Sequence, residues 1–218
     1  MAEQLSFPQP HRTSYAAADF FPGEASAVAR AMLREPENWP FGKLILAGDA
    51  GAGKTHLLTI WAETQGGTLV SGDIPSRADG PLAVDDAHLF AGDAAAEEAL
   101  FHLHNNMAEA RQPLLLSARV APSTWGINLP DLRSRMEATT VAHIAEPDDA
   151  TLQAILMKLL ADRQLDPDPR LGPFLLAHMG RSYAEAARVV EALDTINLAE
   201  KRRITPAIAA RVLEAATD

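Results

Sequence analysis

Gly48, Gly53, Lys54 and Thr55 fit the pattern G-x-x-x-x-G-K-[ST] within Gly48-Asp49-Ala50-Gly51-Ala52-Gly53-Lys54-Thr55-His56. Glycines at this spacing let a loop adopt positive φ and turn its backbone N–H groups toward one point. When a helix N-terminus follows such a loop, the two together cradle the phosphates of a nucleotide. Lys54 is expected to reach the β- and γ-phosphates, and the Thr55 hydroxyl to hold Mg²⁺. Residues 48–56 are therefore the expected nucleotide-binding loop.

Asp85 and Asp86 end an apolar run, Leu82-Ala83-Val84. Two carboxylates at the end of a strand beside such a loop suit a Walker-B arrangement. Asp85 would hold Mg²⁺ through water, and Asp86 would polarise the attacking water. Ser117 and Arg119 follow another apolar run and are either γ-phosphate sensors or a polar strand end. Arg133 and Arg135, in Leu129-Pro130-Asp131-Leu132-Arg133-Ser134-Arg135-Met136, end a helical stretch. An arginine placed there is either an ordinary exposed side chain or an arginine finger for a neighbour's nucleotide. His102 and His104 stand two apart, so on a helix they do not share a face, and they are read as surface or core residues, not metal ligands.

The elements that must position these residues are legible in the hydrophobic pattern. Leu44 to Ala47 is long enough for one buried strand, and an amphipathic run starts at His56. Further strands are expected at 68–70, 82–86, 113–117 and 140–144, with helices at 22–33 and 94–111. Residues 71–81 hold two prolines and two glycines and read as a loop. Strands alternating with helices predict an α/β core with a five-stranded parallel sheet. After Pro147 the pattern becomes purely helical, with helices expected at 148–162, 171–179 (stopped by Gly180 as a C-cap), 182–200 and from Thr205-Pro206. The expected organisation is a flexible tail over 1–18, a nucleotide-binding core over 19–146 and a small helical lid over 147–218.

Composition narrows the function classes. A net charge of −10 argues against a broad nucleic-acid surface, so no direct specific DNA binding is expected. The absence of cysteine removes disulfides and thiolate metal sites. The polar start of the chain lacks a signal-peptide core, and no run is long enough to span a bilayer, so a cytoplasmic, membrane-free protein is expected. The oligomeric state stays open, with a homodimer among the options.

The phosphate loop, Asp85-Asp86, Leu129-Pro130-Asp131-Leu132-Arg133-Ser134-Arg135 and the helical end together resemble the AAA+ domain of the DnaA replication-initiator family. Within that family they resemble its regulatory branch, Hda, over about residues 4–216. Two features select that branch: the sequence ends at Asp218 where DnaA continues into a DNA-binding domain, and Gln4-Leu5-Ser6-Phe7 resembles a sliding-clamp-binding peptide. The resemblance implies an AAA+ P-loop NTPase fold with ADP or ATP as the bound nucleotide. It further implies a negative regulator of replication initiation whose Arg135 stimulates hydrolysis of DnaA-bound ATP in trans, with DnaA and the DNA polymerase III sliding clamp as partners.

The chain departs from that pattern at three points. Residues 71–81 are too short for the DNA-engaging insertion of DnaA. Ala118 occupies the sensor I position, and Ala184 or Glu185 the sensor II position, with Arg181 and Arg188 one turn to either side. Weak intrinsic hydrolysis is the resulting expectation. The rival readings are an autonomous AAA+ ATPase, such as a helicase loader or initiation factor, and a pure adaptor.

Overall fold

The computed structural model describes residues 23–200 and 203–215. The expected tail peptide, Gln4, Leu5, Ser6 and Phe7, lies outside the described residues. A short 3₁₀ turn over Glu24–Ser26 leads into α1 (Ala27–Arg34). β1 (Lys43–Ala47), α2 (Lys54–Gln65), β2 (Thr68–Ser71) and β3 (Leu82–Asp85) follow. Next come α3 (Ala94–Glu109), β4 (Leu114–Ala118), α4 (Pro130–Ala138) and β5 (Thr140–His143). The chain then continues as α5 (Asp149–Asp162), α6 (Leu171–His178), α7 (Tyr183–Glu200) and α8 (Pro206–Glu214).

All strand pairs are parallel, in the order β2-β3-β4-β1-β5, as the alternating pattern predicts. The strands read as continuous apolar runs because the sheet is covered on both faces. Side chains alternate across it: Ile45, Val84, Leu114 and Leu116 meet α3 and α4 on one face. Leu44, Leu46, Ala83 and Leu115 meet α1 and α2 on the other. Trp39 and Trp61 stack within that second layer at 5.5 Å. The four C-terminal helices enclose a core of their own, built on Leu152, Leu156, Leu171, Val189 and Val190. Among the described residues no helix is long and apolar enough to cross a membrane.

Local caps explain most boundaries. Asp93 accepts the Ala96 N–H at 2.8 Å to start α3, and Asp148 accepts the Thr151 N–H at 2.7 Å to start α5. Pro130 and Pro206 open α4 and α8 at the position where no N–H is needed. One expectation is corrected. α6 does not end on a left-handed Gly180; its C-cap is Met179, with extended backbone, and Gly180 is instead covered by the Glu185 side chain.

Candidate functional site

The predicted phosphate loop lies between the C-terminal end of β1 and the start of α2, at a central strand of the sheet. Gly51 has φ +77° and Gly53, the α2 N-cap, φ +92°. Both angles belong to the left-handed region, where a side chain is strained. Gly51 is constrained a second time, since a Cβ there would lie 2.6 Å from the Ala184 Cβ of α7. The loop is thus pressed against the helical part and tolerates only glycine at its apex.

Lys54 is buried, and its Nζ donates to the Gly48 carbonyl at 2.7 Å and the Asp49 carbonyl at 2.8 Å. Burial lowers its pKa, while the carboxylates of Asp86 and Asp85 act in the opposite direction. Thr55 Oγ1 donates to Asp85 Oδ2 at 2.7 Å. The Ser117 hydroxyl donates to Asp85 Oδ1 and accepts the Asp86 N–H at 2.8 Å. Ser117 is fully buried and committed to these two bonds, so it braces the aspartates and does not read a phosphate. Ala118, the last residue of β4, is also fully buried and brings no polar side chain.

Asp86 is not the end of the strand. β3 stops at Asp85, and Asp86 adopts φ +48°, which turns its carboxylate to within 3.8 Å of His88 Nδ1. Burial holds His88 below its ordinary pKa.

Around these residues lies a cavity of about 440 Å³. Ala50, Gly51, Ala52, Gly53, Lys54, Thr55 and His56 form its floor, and Asp86 and Arg119 one side. Gly48 and Asp49 contribute carbonyls to Lys54 and are not part of its lining. The opposite wall, which the sequence did not single out, comes from Ala25, Ser26, Ile144, Thr151 and Ile155. Tyr183, Ala184, Ala187, Arg188 and Glu191 close it from α7. Such a volume, with a polar floor and a largely apolar wall, suits a small ligand carrying both phosphates and a ring. The donors also fit Mg²⁺: Thr55 and Asp85 offer adjacent hard oxygens, and Mg²⁺ takes its remaining ligands from phosphates and water. Among the described residues no group of three or more His, Asp or Glu side chains is arranged to hold a metal by itself.

Arg135 lies elsewhere. It is in the last turn of α4, just before β5, and its guanidinium rests 5.1 Å from the centre of the Phe101 ring. It raises the local positive potential felt by Lys43 and His104, near the start of β1, whereas the phosphate loop follows the end of β1. Arg133 is tied back to its own chain through the Ile127 carbonyl, accepting from Nε at 2.9 Å. The start of α4 is pinned by a buried carboxylate that sequence reading missed. Glu97 accepts N–H bonds from Leu129 at 2.7 Å, Asn128 at 2.9 Å and Gly92 at 2.8 Å. Burial alone would raise its pKa, but these bonds outweigh it and keep the carboxyl ionised.

His104 is buried on α3, and its pKa is pushed down to about 3, first by burial, then by Lys43 and Arg135. An unfolded histidine protonates near 6.5, so between pH 6.5 and 3 the unfolded chain takes up the proton first. Stability is therefore expected to fall with falling pH in that window. His104→Leu should flatten the fall by up to about 1.4 kcal/mol per pH unit, as read by urea denaturation at pH 7 and pH 5. His102 is exposed beside Glu98, so neither histidine acts as a ligand in the cavity.

The sequence matches no family model. Solved structures share the fold. Domain III of the Thermotoga maritima replication initiation protein DnaA superposes with a TM-score of 0.78 at 18% identity, over 95% of this chain and 98% of that one. AMPPCP-bound DnaA from Aquifex aeolicus gives a TM-score of 0.69 at 20% identity, over 87% of this chain and 69% of that one. A Thermotoga maritima RuvB variant, R170A, gives 0.67 at 18%, over 91% and 71% respectively. The chain has the AAA+ P-loop NTPase fold, a five-stranded parallel sheet with surrounding helices followed by a helical part.

Proposed function

We propose that this protein is a nucleotide-bound negative regulator of replication initiation, which completes the ATPase site of DnaA with Arg135 and holds the sliding clamp through Gln4-Leu5-Ser6-Phe7. The observation that carries this reading is the placement of Arg135. Its exposed guanidinium sits on an aromatic ring, toward the start of β1 and so away from the phosphate loop that follows the end of that strand, and is not part of the lining of its own cavity. An arginine so presented is available to the phosphates of a neighbouring molecule.

In this account the cavity binds ADP or ATP between the core over 19–146 and the lid over 147–218. Residues 48–56 wrap the phosphates, Lys54 leaves its two loop carbonyls for phosphate oxygens, and the apolar wall around Ile144 and Ile155 takes the ring. Thr55 and Asp85 would hold Mg²⁺, which supplies positive charge against the phosphates. Asp86 orients a water. The protein's own turnover is slow because Ala118 and Ala184 offer no cation or hydrogen bond to a terminal phosphate. Bound nucleotide then mainly sets how core and lid meet at Gly51 and Ala184. The intact Thr55–Asp85–Ser117 cluster favours, as a second reading, an autonomous ATPase.

The test incubates the full chain with ATP-loaded DnaA, with and without DNA-loaded clamp, beside a Leu5→Ala/Phe7→Ala variant. Clamp-dependent conversion of the DnaA-bound ATP, lost in the variant, is expected. Turnover of free ATP by this protein with DnaA's nucleotide untouched would favour the second reading.

A further inference from the structure

Glu97 spends a buried charge where a neutral side chain would cost less. It is 1% exposed on α3, and among the described residues no ion pair reaches its carboxylate. Arg133 contributes only a more distant positive charge. The burial is offset by backbone donors instead. Oε1 accepts the Gly92 N–H at 2.8 Å, Oε2 accepts the Leu129 N–H at 2.7 Å, and the Asn128 N–H is shared between them at 2.9 and 3.1 Å.

These donors come from two segments. Gly92, at φ +90°, closes the turn that follows Asp86. Asn128 and Leu129 lead into α4, and Leu129, its N-cap, has no side-chain cap within its own segment. A helix start ordinarily takes its cap locally. Here the anion comes from α3 and also meets the positive end of the α4 dipole. The far end of α4 rests on the same helix. Arg135, in the last turn of α4, lies over Phe101, which follows Glu97 by four residues and so stands one turn on along the same face of α3. Leu132 and Met136 are fully buried against the sheet, but apolar burial is non-directional and does not by itself set how a helix is aimed.

We propose that Glu97 is the positioning residue of Arg135: by fixing the entry of α4 it sets where the guanidinium at the end of that helix is presented to a partner's nucleotide. This rests on the reading of Arg135 as an arginine finger. An ionised carboxylate suits the task because it only accepts, and three N–H groups converge on it. Glutamine has the same size but turns an N–H of its own against one of them. A displacement of about 1 Å at a group that serves a reacting phosphoryl costs up to about 10²-fold in rate.

The experiment follows single-turnover conversion of DnaA-bound ATP, with DNA-loaded clamp, at rising concentrations of the full chain, Glu97→Gln, Leu129→Pro and Arg135→Ala. Leu129→Pro removes one donor at a residue whose φ of −70° suits proline, and it leaves the carboxylate two donors, so less of the fold is at stake. The saturating rate is expected to fall about tenfold in Glu97→Gln and about threefold in Leu129→Pro. The half-saturating concentration should hold in both, and so should ADP affinity, since neither residue lines the cavity. An unchanged saturating rate in Leu129→Pro would overturn the proposal, and that arm stands even where Glu97→Gln does not fold. So would a raised half-saturating concentration at full rate, which would make Glu97 a support of the docking face alone. Arg135→Ala as fast as the unaltered protein would overturn the arginine-finger reading instead.

Discussion

Lys54→Ala is expected to weaken nucleotide binding severely. The Lys54 ammonium is buried beneath the loop and held by two carbonyls, so it is already aimed where phosphates must lie. Removing one member of a buried, hydrogen-bonded charge pair costs about 2–5 kcal/mol. That corresponds to ~30- to 5,000-fold in affinity. The loss is readable as a diminished thermal shift. Ligand at one hundred times its dissociation constant stabilises the folded state by about 2.7 kcal/mol. For a chain of this size that raises Tm by ~5–10 °C. The unaltered protein should show such a rise with ADP, and Lys54→Ala about a third of it or less. An equal rise in both would remove the loop from the binding site.

Arg135→Ala carries the second large effect, and it falls on the partner's chemistry. An arginine that stabilises the transferring phosphoryl group in trans contributes ~10³-fold or more to hydrolysis. Single-turnover conversion of DnaA-bound ATP is expected to slow by at least that factor. Arg135→Lys should not restore it, because an ammonium lacks the planar fork that spans two phosphate oxygens. Folding should be nearly indifferent: Arg135 is exposed, and its contact with Phe101 is worth about 0.5–1 kcal/mol at such a site. ADP affinity should not change either, since Arg135 does not line the cavity. A pure adaptor would keep its full effect in both variants.

The parts of this molecule that were legible in the sequence are those with local causes. Gly51 and Gly53 announce a loop with positive φ, Thr205-Pro206 announces a helix start, and the apolar runs 44–47 and 114–116 suit buried strands. What escaped depends on residues far apart in the chain. Ser117 is a polar strand end in sequence, and its commitment to Asp85 and Asp86 emerges only once β3 and β4 are neighbours.

Glu97 reads as an ordinary helix-surface acid until the turn before α4 folds back over it. Gly180 carries the signature of a helix stop, yet Glu185 from the next helix covers it and the backbone there stays out of the left-handed region. The apolar wall of the cavity joins the segment before α1, the residues after β5, and α5, none of which bears a motif. Arg135 is intermediate: its position in α4 was readable, but its separation from its own cavity needed the fold.

The central claim is that this protein acts on a nucleotide held by DnaA and not chiefly on its own. The most direct measurement loads DnaA with ATP labelled on the α-phosphate and adds this protein with DNA-loaded clamp. The bound nucleotide is then resolved over time, with turnover of free ATP by this protein alone followed in parallel. The account predicts conversion of the DnaA-bound ATP to ADP while the parallel reaction stays near background. Unchanged DnaA-bound ATP, with steady hydrolysis in the parallel reaction, would contradict it.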